Sequence, residues 1–299
     1  MTSRNDDNNW LDSRAVTRDF DRAAGTYDKV AVLQRAVLER LFERLDVIRL
    51  KPERILDLGS GSGAAAAGLA RRYRRAQVIQ LDIAHGMLRH ARRRAPRWFS
   101  RQRFVQADVA QLPIAPASID FVFSSLMLQW VADLPGVFAQ LRRSLRADGL
   151  IQFASFGPDT LKELRASWAA VDDSPHVNPF VDMHNVGDAL VQVGFSDPVM
   201  EADTFHLTYS DVHALMRELK QLGAQNGLSD RRRSLTGVQR LRAMVDAYNA
   251  AWRQSDGRIP ASFEVVYGHA WVPAQPPQQR TADGDVHVPL TSLKKRAER

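Results

Sequence analysis

The chain contains no cysteine among its 299 residues. Disulfide bonds, cysteine-ligated metals and thiol redox chemistry are therefore excluded. Apolar runs of membrane-spanning length are also missing, and the N-terminus is rich in Asn and Asp where a signal peptide would carry its apolar segment. We therefore expect a cytoplasmic protein with no membrane partner.

Acidic residues are outnumbered, with 34 Asp and Glu against 41 Lys and Arg and a net charge of +7. The excess is concentrated between Arg71 and Arg103, where eleven arginines face a single acid, Asp82. Such a positive field favours an acidic partner, although a solvated helix face is the alternative. Nucleic acid is the less favoured partner because aromatic residues do not alternate with the arginines.

One apolar stretch, Arg54–Leu58, breaks into alternating glycines up to Gly63 and then into a run of alanines. This pattern predicts a buried strand, a tight turn and a helix N-terminus whose backbone a ligand can approach. The glycines also satisfy a loose dinucleotide pattern. Asp57 favours S-adenosylmethionine over a dinucleotide, because a carboxylate here attracts ammonium and sulfonium cations and repels a pyrophosphate.

The next two strands also end in acidic residues. Asp82 follows Gln77–Leu81 and is placed to accept hydrogen bonds from ribose hydroxyls, while Asp108 follows the strand Arg103–Gln106. Asp108 would pair with an adenine amino group or, alternatively, cap a turn. Continued strand and helix alternation to residue 156 predicts an α/β fold with a mostly parallel sheet.

Length and composition predict a single domain over residues 15–271. Its cofactor half spans about 52–157, with substrate or lid elements at about 15–50 and 158–260. We expect residues 1–14 to be disordered and the tail at 272–299, rich in proline, glutamine and charge, to be mobile.

The motif Leu56–Gly63, with Asp82 and Asp108, resembles the S-adenosylmethionine motifs of class I, seven-stranded methyltransferases. Several segments more narrowly resemble the malonyl-acyl carrier protein O-methyltransferases of the biotin pathway. These segments are Phe20–Ala24 with Tyr27, Leu126–Trp130, Phe156–Leu161, Asp172–Phe180 and Leu219–Ala224.

The resemblance implies a Rossmann-like, seven-stranded fold with helical insertions in its C-terminal half. It also implies methyl transfer from S-adenosylmethionine to the free carboxyl of a malonyl thioester, a step toward the pimeloyl precursor of biotin. The carrier would be the acidic acyl carrier protein or, alternatively, coenzyme A. A carboxylate is already ionised near neutrality, which agrees with the lack of an obvious base and nucleophile pair near the motifs.

The predicted cofactor contacts lie at or just after the ends of the first four strands. They are Asp57, Gly59, Ser60, Gly61, Asp82, Ile83, Met87, Asp108, Val109 and Ser124. The predicted substrate contacts are Tyr27, Gln129, Trp130, Arg143, His176 and Asn178. Of these, Tyr27 and Arg143 are the candidate catalytic groups, because a phenol or a guanidinium can hold a carboxylate. Core packing is the alternative role for Tyr27, and a helix-surface position is the alternative for Arg143. No metal site is predicted.

Other methyltransferase-fold activities remain as alternatives. A protein-modifying assembly factor, a nucleic-acid methyltransferase and a quinone methyltransferase share the cofactor fold, and a fold alone does not distinguish them.

Overall fold

The computed structural model describes residues 10–231 and 236–274. Residues 1–14 were predicted to be disordered and residues 272–299 to be mobile. Of these, residues 1–9 and 275–299 lie outside the described ranges. Within them, no helix combines the length and apolar character needed to cross a membrane.

Seven strands form one sheet in the order β3-β2-β1-β4-β5-β7-β6. The strands are β1 Arg54–Leu58, β2 Gln77–Asp82, β3 Gln102–Gln106, β4 Ile119–Ser125, β5 Leu145–Phe156, β6 Ser196–Tyr209 and β7 Ile259–Trp271. The first five pair in parallel, and β7 runs antiparallel to both β5 and β6. The predicted seven-stranded, mostly parallel sheet is confirmed.

Helices cover both faces of this sheet. They are α1 Ser13–Ala23, α2 Tyr27–Val30, α3 Val32–Glu43, α4 Ala64–Arg72, α5 His85–Arg94, α6 Leu134–Ser144, α7 Lys162–Ala169, α8 Met183–Gln192, α9 Val212–Gln221 and α10 Val238–Trp252. One core packs α3, α4, α7, α9 and α10 against one face, and a second packs α6 and α8 against the other. The central strands read as continuous apolar runs because both of their faces are buried.

The strand order indicates which edge of the sheet can bind a ligand. The chain leaves β1 toward β2 on one side and reaches β4 on the other, so the order reverses between β1 and β4. Open α/β sheets bind ligands at the carboxyl ends of strands beside such a switch point. The glycine turn after β1 lies there.

The N-terminal segment differs from the sequence-based expectation. The chain breaks around Gly25 into two helices, α1 and α2. The ordered region also begins before residue 15, because Leu11 forms a β-bridge with Leu228 and Asp12 caps α1. This pairing fixes the segment against the loop that follows α9.

Candidate active site

The glycine turn is fastened to the end of β2. The N–H groups of Gly59 and Ser60 donate to the carbonyl of Leu81 at 2.8 and 3.0 Å. The N–H of Gly61 donates to Asp82 Oδ2 at 2.8 Å, and Asp82 Oδ1 accepts from the N–H of Ala84 at 2.8 Å. A single carboxylate therefore positions the turn after β1 relative to the start of α5.

Two glycines of this turn are required for different reasons. Both have left-handed backbone angles, with φ of +69° at Gly59 and +52° at Gly61. A Cβ on Gly59 would lie 2.2 Å from the side chain of Met127, whereas a Cβ on Gly61 would meet no atom within 4 Å. Gly59 therefore allows close packing, and Gly61 leaves open space above the backbone.

This space is a cavity of about 110 Å³. Its walls include most of the predicted cofactor residues, together with two of the predicted substrate residues. They are Gly59, Gly61, Asp82, Ile83, Met87, Asp108 and Val109, with Tyr27 and Trp130. Asp108 also caps the short turn after β3, because its Oδ1 accepts from the N–H of Ala110 at 2.9 Å.

Three predicted cofactor residues do not line the cavity. Asp57 is 1% exposed and lies beneath the glycine turn, and the side chain of Ser60 is likewise buried. The Ser124 hydroxyl donates to the carbonyl of Leu58 at 3.0 Å inside the sheet, while the neighbouring Ser125 faces the cavity. Ser124 was therefore a wrong assignment, because side chains alternate along β4.

Arg143 is not part of the site. It is exposed on the last turn of α6, and its carbonyl accepts from the N–H of Ala117 just before β4 begins. Because α6 runs back toward the amino ends of the parallel strands, Arg143 lies at the edge of the sheet opposite to the glycine turn. The predicted catalytic and substrate-binding role of Arg143 is wrong.

Gln129 is used within the fold. Its Nε2 donates to the carbonyl of Leu126 at 2.8 Å, and its Oε1 accepts from the Ser155 hydroxyl at 3.4 Å. It lines neither the cofactor cavity nor the second cavity described next. Gln129 was predicted to contact the substrate, but the structure uses its side chain to hold the turn after β4.

A second cavity of about 390 Å³ adjoins the first. His176 and Asn178 line it, and so does Trp130, whose indole is also in the wall of the first cavity. His176 is fixed by a 2.8 Å contact with Asp172 and by stacking on Trp168 at 3.8 Å. The structure thus brings three predicted substrate residues to one cavity.

Asn178 also has a local structural role. Its Oδ1 accepts from the N–H of Gly227 at 3.0 Å, and Asn226 donates to the carbonyl of Pro175 at 2.7 Å. These bonds hold the loop at 175–180 against the loop after α9. The two loops therefore form one wall of the second cavity.

The N-terminal segment covers the first cavity, and lid elements were expected there from about residue 15, although Leu11, Val16 and Phe20 were not among the predicted site residues. Leu11, Val16 and Phe20 lie in its wall, and the Phe20 ring packs edge-on against Trp130 at 5.3 Å. The available signal was the apolar pair Trp10–Leu11 directly before Asp12, a residue type favoured at helix N-caps. Asp21 then ties the cover to α5, because its Oδ1 accepts from the N–H of Gly86 at 2.6 Å.

Two buried carboxyl groups near the turn have raised pKa values. Burial, with the nearby Asp82, raises the pKa of Asp57 from 3.8 to about 8, although the N–H of Ala66 lowers it. Burial likewise raises the pKa of Asp82 from 3.8 to about 6, although the N–H groups of Ala84 and Gly61 lower it. Asp57 Oδ2 also has no hydrogen-bond partner among the described residues. A cation bound nearby would offset these penalties.

Tyr27 presents a neutral hydroxyl. Burial raises the pKa of Tyr27 well above its usual value of 10, and the charges of Asp82 and Asp28 raise it further. Within the described part of the chain its hydroxyl makes no hydrogen bond, although the residue lines the first cavity. The hydroxyl is therefore a free donor for a ligand.

These residues fit S-adenosylmethionine. Gly61 leaves room at the backbone, and Asp82 retains lone pairs for sugar hydroxyls after accepting its two N–H groups. The unpartnered carboxylate oxygen of Asp57 suits a cationic ligand. No group of three or more His, Asp or Glu that could hold a metal occurs in residues 10–231 and 236–274.

Comparisons with known proteins agree with this arrangement. A family model described as a methyltransferase domain matches residues 56–153. The chain is 48% identical over 286 residues to the malonyl-[acyl-carrier protein] O-methyltransferase of Halorhodospira halophila, covering 96% of this chain and 97% of that protein. It is 49% identical over 282 residues to the protein of the same name from Laribacter hongkongensis, covering 92% and 94%.

Solved structures share the fold at low identity. The YcgJ protein of Bacillus subtilis matches with a TM-score of 0.57 and 14% identity, covering 80% of this chain and 99% of that one. A Haemonchus contortus phosphoethanolamine N-methyltransferase in complex with S-adenosylmethionine matches with a TM-score of 0.52 and 16% identity, covering 85% and 57%.

Asp57→Asn tests the electrostatic description of the turn. In the unfolded chain the pKa of this carboxyl is near 3.8, and in the folded protein it is about 8. Between these values the unfolded state has released a proton that the folded state retains, so stability falls as pH rises. We expect Asp57→Asn to raise the melting temperature of the ligand-free protein, by an amount that grows from pH 5 to pH 8.5.

Asp173→Asn is the matched control, because Asp173 is exposed. Its effect on the melting temperature should be small over the same pH range. A difference for Asp57→Asn that stays constant with pH would contradict the raised pKa.

Proposed function

This chain belongs to the malonyl-[acyl-carrier protein] O-methyltransferase family, and we propose that it methylates the free carboxyl of a malonyl thioester. The methyl donor is S-adenosylmethionine, and the product is a methyl ester that serves biotin synthesis. The observation that carries the proposal is the cavity above Gly61, walled by Asp82 and covered by α1.

We assign the first cavity to the cofactor. When bound, S-adenosylmethionine supplies an electrophilic methyl group on a sulfonium. Asp82 would hold sugar hydroxyls, Asp108 would meet the base, and Ile83, Met87 and Val109 would supply apolar contacts. The cover formed by Leu11, Val16 and Phe20 would keep water from the methyl group.

The protein does not need to remove a proton for this reaction. A malonyl carboxylate is ionised at neutral pH, so it attacks without a general base. The contribution of the protein would then be orientation of the two reactants and exclusion of water. Tyr27 would orient the carboxylate by donating its neutral hydroxyl, whose raised pKa keeps the proton in place.

The second cavity would receive the thioester arm. Trp130 is in the wall of both cavities, so a chain lying in the second cavity can end beside the first. The remaining walls are largely aromatic and aliphatic, with Phe156, Trp168 and Phe263 among them. A long arm with few charges suits such a wall. By this proposal the arm is carried by acyl carrier protein, and coenzyme A is the smaller alternative carrier. The cytoplasmic location of the protein stays a prediction.

Mass spectrometry of the carrier tests the function directly. The purified protein, S-adenosylmethionine and malonyl-acyl carrier protein should yield carrier with the mass of one added methyl group on its prosthetic arm. Acetyl-acyl carrier protein lacks the free carboxyl and should remain unchanged. Methylation of both carriers, or of neither, would contradict the proposed substrate.

Tyr27→Phe tests the orienting role of the hydroxyl. Removing one hydrogen bond to an anion should raise the activation free energy by about 1.5 to 3 kcal/mol, a fall in kcat of roughly ten- to hundredfold. The melting temperature should be nearly unchanged, since this hydroxyl has no bond within the described protein to lose. Steady-state kinetics and thermal unfolding measure the two effects.

Tyr209→Phe is the matched control, because the Tyr209 hydroxyl donates to Glu218 at 2.9 Å and does not line the first cavity. That variant should lose stability and keep its turnover. Normal kcat in Tyr27→Phe would return Tyr27 to a packing role, and an effect confined to the KM of the cofactor would make it a cofactor contact.

A further inference from the structure

Helix α1 carries a stripe of three arginines, Arg14, Arg18 and Arg22, which we call the α1 stripe. They are four residues apart, so they share one helix face and span about 12 Å along its axis. All three are exposed, and they border a shallow surface depression with Thr17 and Asp21. The side of α1 that packs on the protein buries Ala15 and Val16, and Val16 lines the first cavity.

The α1 stripe is poorly neutralised by the protein itself. Arg22 has a 4.0 Å contact with Asp19, and within the described part of the chain Arg14 and Arg18 form no ion pair. Asp21 is on the same surface, but its Oδ1 accepts from the N–H of Gly86 and it forms no ion pair with the stripe within the described residues. Arg14 also stands in the first turn of α1, which contains no acid, where a cation opposes the helix dipole. Arg14 therefore does not stabilise the helix that carries it, whereas Arg22 in the last turn does.

The stripe lies close to the route into the second cavity. Asp19 and Phe20 of α1 pack against Gly223 just after α9, with a Cβ on that glycine only 3.1 Å from their atoms. Lys220, in the last turn of α9, is exposed and lines the second cavity. Helix α1 and a wall of the second cavity are thus neighbours.

The denser arginine cluster is less well placed. Arg71, Arg74 and Arg75 are exposed at the end of α4, which runs away from the glycine turn toward the amino edge of the sheet. Strand β2 has six residues, which puts that edge about 20 Å from the cofactor cavity. Arg72 in addition pairs with Asp46 at 2.6 Å. The α4 part of the docking field predicted from the sequence therefore lies at the edge of the sheet away from the cavities, where it cannot deliver a thioester.

We propose that the α1 stripe is the docking surface for the acyl carrier protein, which would present a helix with acidic side chains. This deepens the proposed function and rests on it, because the carrier is the partner that the reaction implies. An acidic helix with carboxylates one turn apart matches arginines spaced in the same way. Docking there places the carrier beside the second cavity, which would receive its arm.

Charge reversal at equal net charge tests the proposal. The variant Arg14→Glu/Arg18→Glu/Arg22→Glu is compared with Arg71→Glu/Arg74→Glu/Arg75→Glu, which changes the net charge equally at the opposite edge. Binding of holo-acyl carrier protein without a malonyl group is measured by titration calorimetry at low salt. The kcat/KM values for malonyl-acyl carrier protein and malonyl-coenzyme A are measured alongside.

We expect the α1-stripe variant to weaken carrier binding and to lower kcat/KM for the carrier substrate by about ten- to hundredfold. Its kcat/KM for malonyl-coenzyme A should stay within about twofold, because the stripe does not line either cavity. The Arg71 variant should match the wild type in both assays. The milder variant Arg14→Gln/Arg18→Gln/Arg22→Gln should show a smaller loss of carrier binding at an unchanged melting temperature.

Equal losses in both charge-reversed variants would overturn the proposal, since net charge alone would then explain binding. Unchanged carrier binding in the α1-stripe or glutamine variants would also overturn it. Failure of the proposed function is distinguishable, because the carrier would then bind through the stripe while neither malonyl thioester becomes methylated.

Discussion

The carboxylate of Asp82 joins the parts of the site. One oxygen accepts the N–H of Gly61 and the other accepts the N–H of Ala84, so the turn after β1 and the start of α5 keep one relative position. The first cavity lies between these two elements, and its wall also includes the N-terminal cover and Trp130. The same carboxylate faces the cavity, which makes a structural anchor a ligand contact as well.

This arrangement has an electrostatic cost in the free protein. Asp57 and Asp82 are both buried, and their raised pKa values show that the charged forms are poorly compensated. A cation in the cavity would remove part of that cost. The buried carboxylates would thus lower the stability of the free protein and, at the same time, favour a positively charged cofactor. Such a trade between stability and function is common at binding sites.

The site is closed by pieces distant in sequence. Residues 10–31 reach the glycine turn through Asp28, which accepts from the Ser62 hydroxyl at 2.5 Å and pairs with Arg94 at 2.6 Å. The same segment reaches the loop after α9 through the bridge between Leu11 and Leu228. The N-terminal helices and the loop after α9 therefore both contribute to the enclosure of the site.

Local patterns predicted the sheet and the cofactor end of the site. A buried strand, positive-φ glycines and an acid at the end of β2 are determined within a few residues, and Gly59, Gly61 and Asp82 lie as expected. The site residues that were misplaced were misplaced because a short sequence pattern does not give the direction of a side chain or the path of a helix. The side-chain alternation of β4 buries Ser124, and the path of α6 carries Arg143 to the far edge.

The contribution of Leu11 to the cover was not predicted, for a related reason. Leu11 is held by pairing with Leu228, a residue more than two hundred positions later, and no local pattern encodes that pairing. The apolar pair Trp10–Leu11 and the N-cap residue Asp12 were the local signs that α1 begins so early.

Proton release on cofactor binding tests the central electrostatic claim most directly. Titration calorimetry of S-adenosylmethionine at pH 7, in two buffers with different ionisation enthalpies, measures the number of protons exchanged. With the pKa of Asp57 at about 8 in the free protein, a bound cation should lower it and release a proton, and Asp57→Asn should abolish that release. A binding enthalpy independent of the buffer, or proton uptake, would contradict the account.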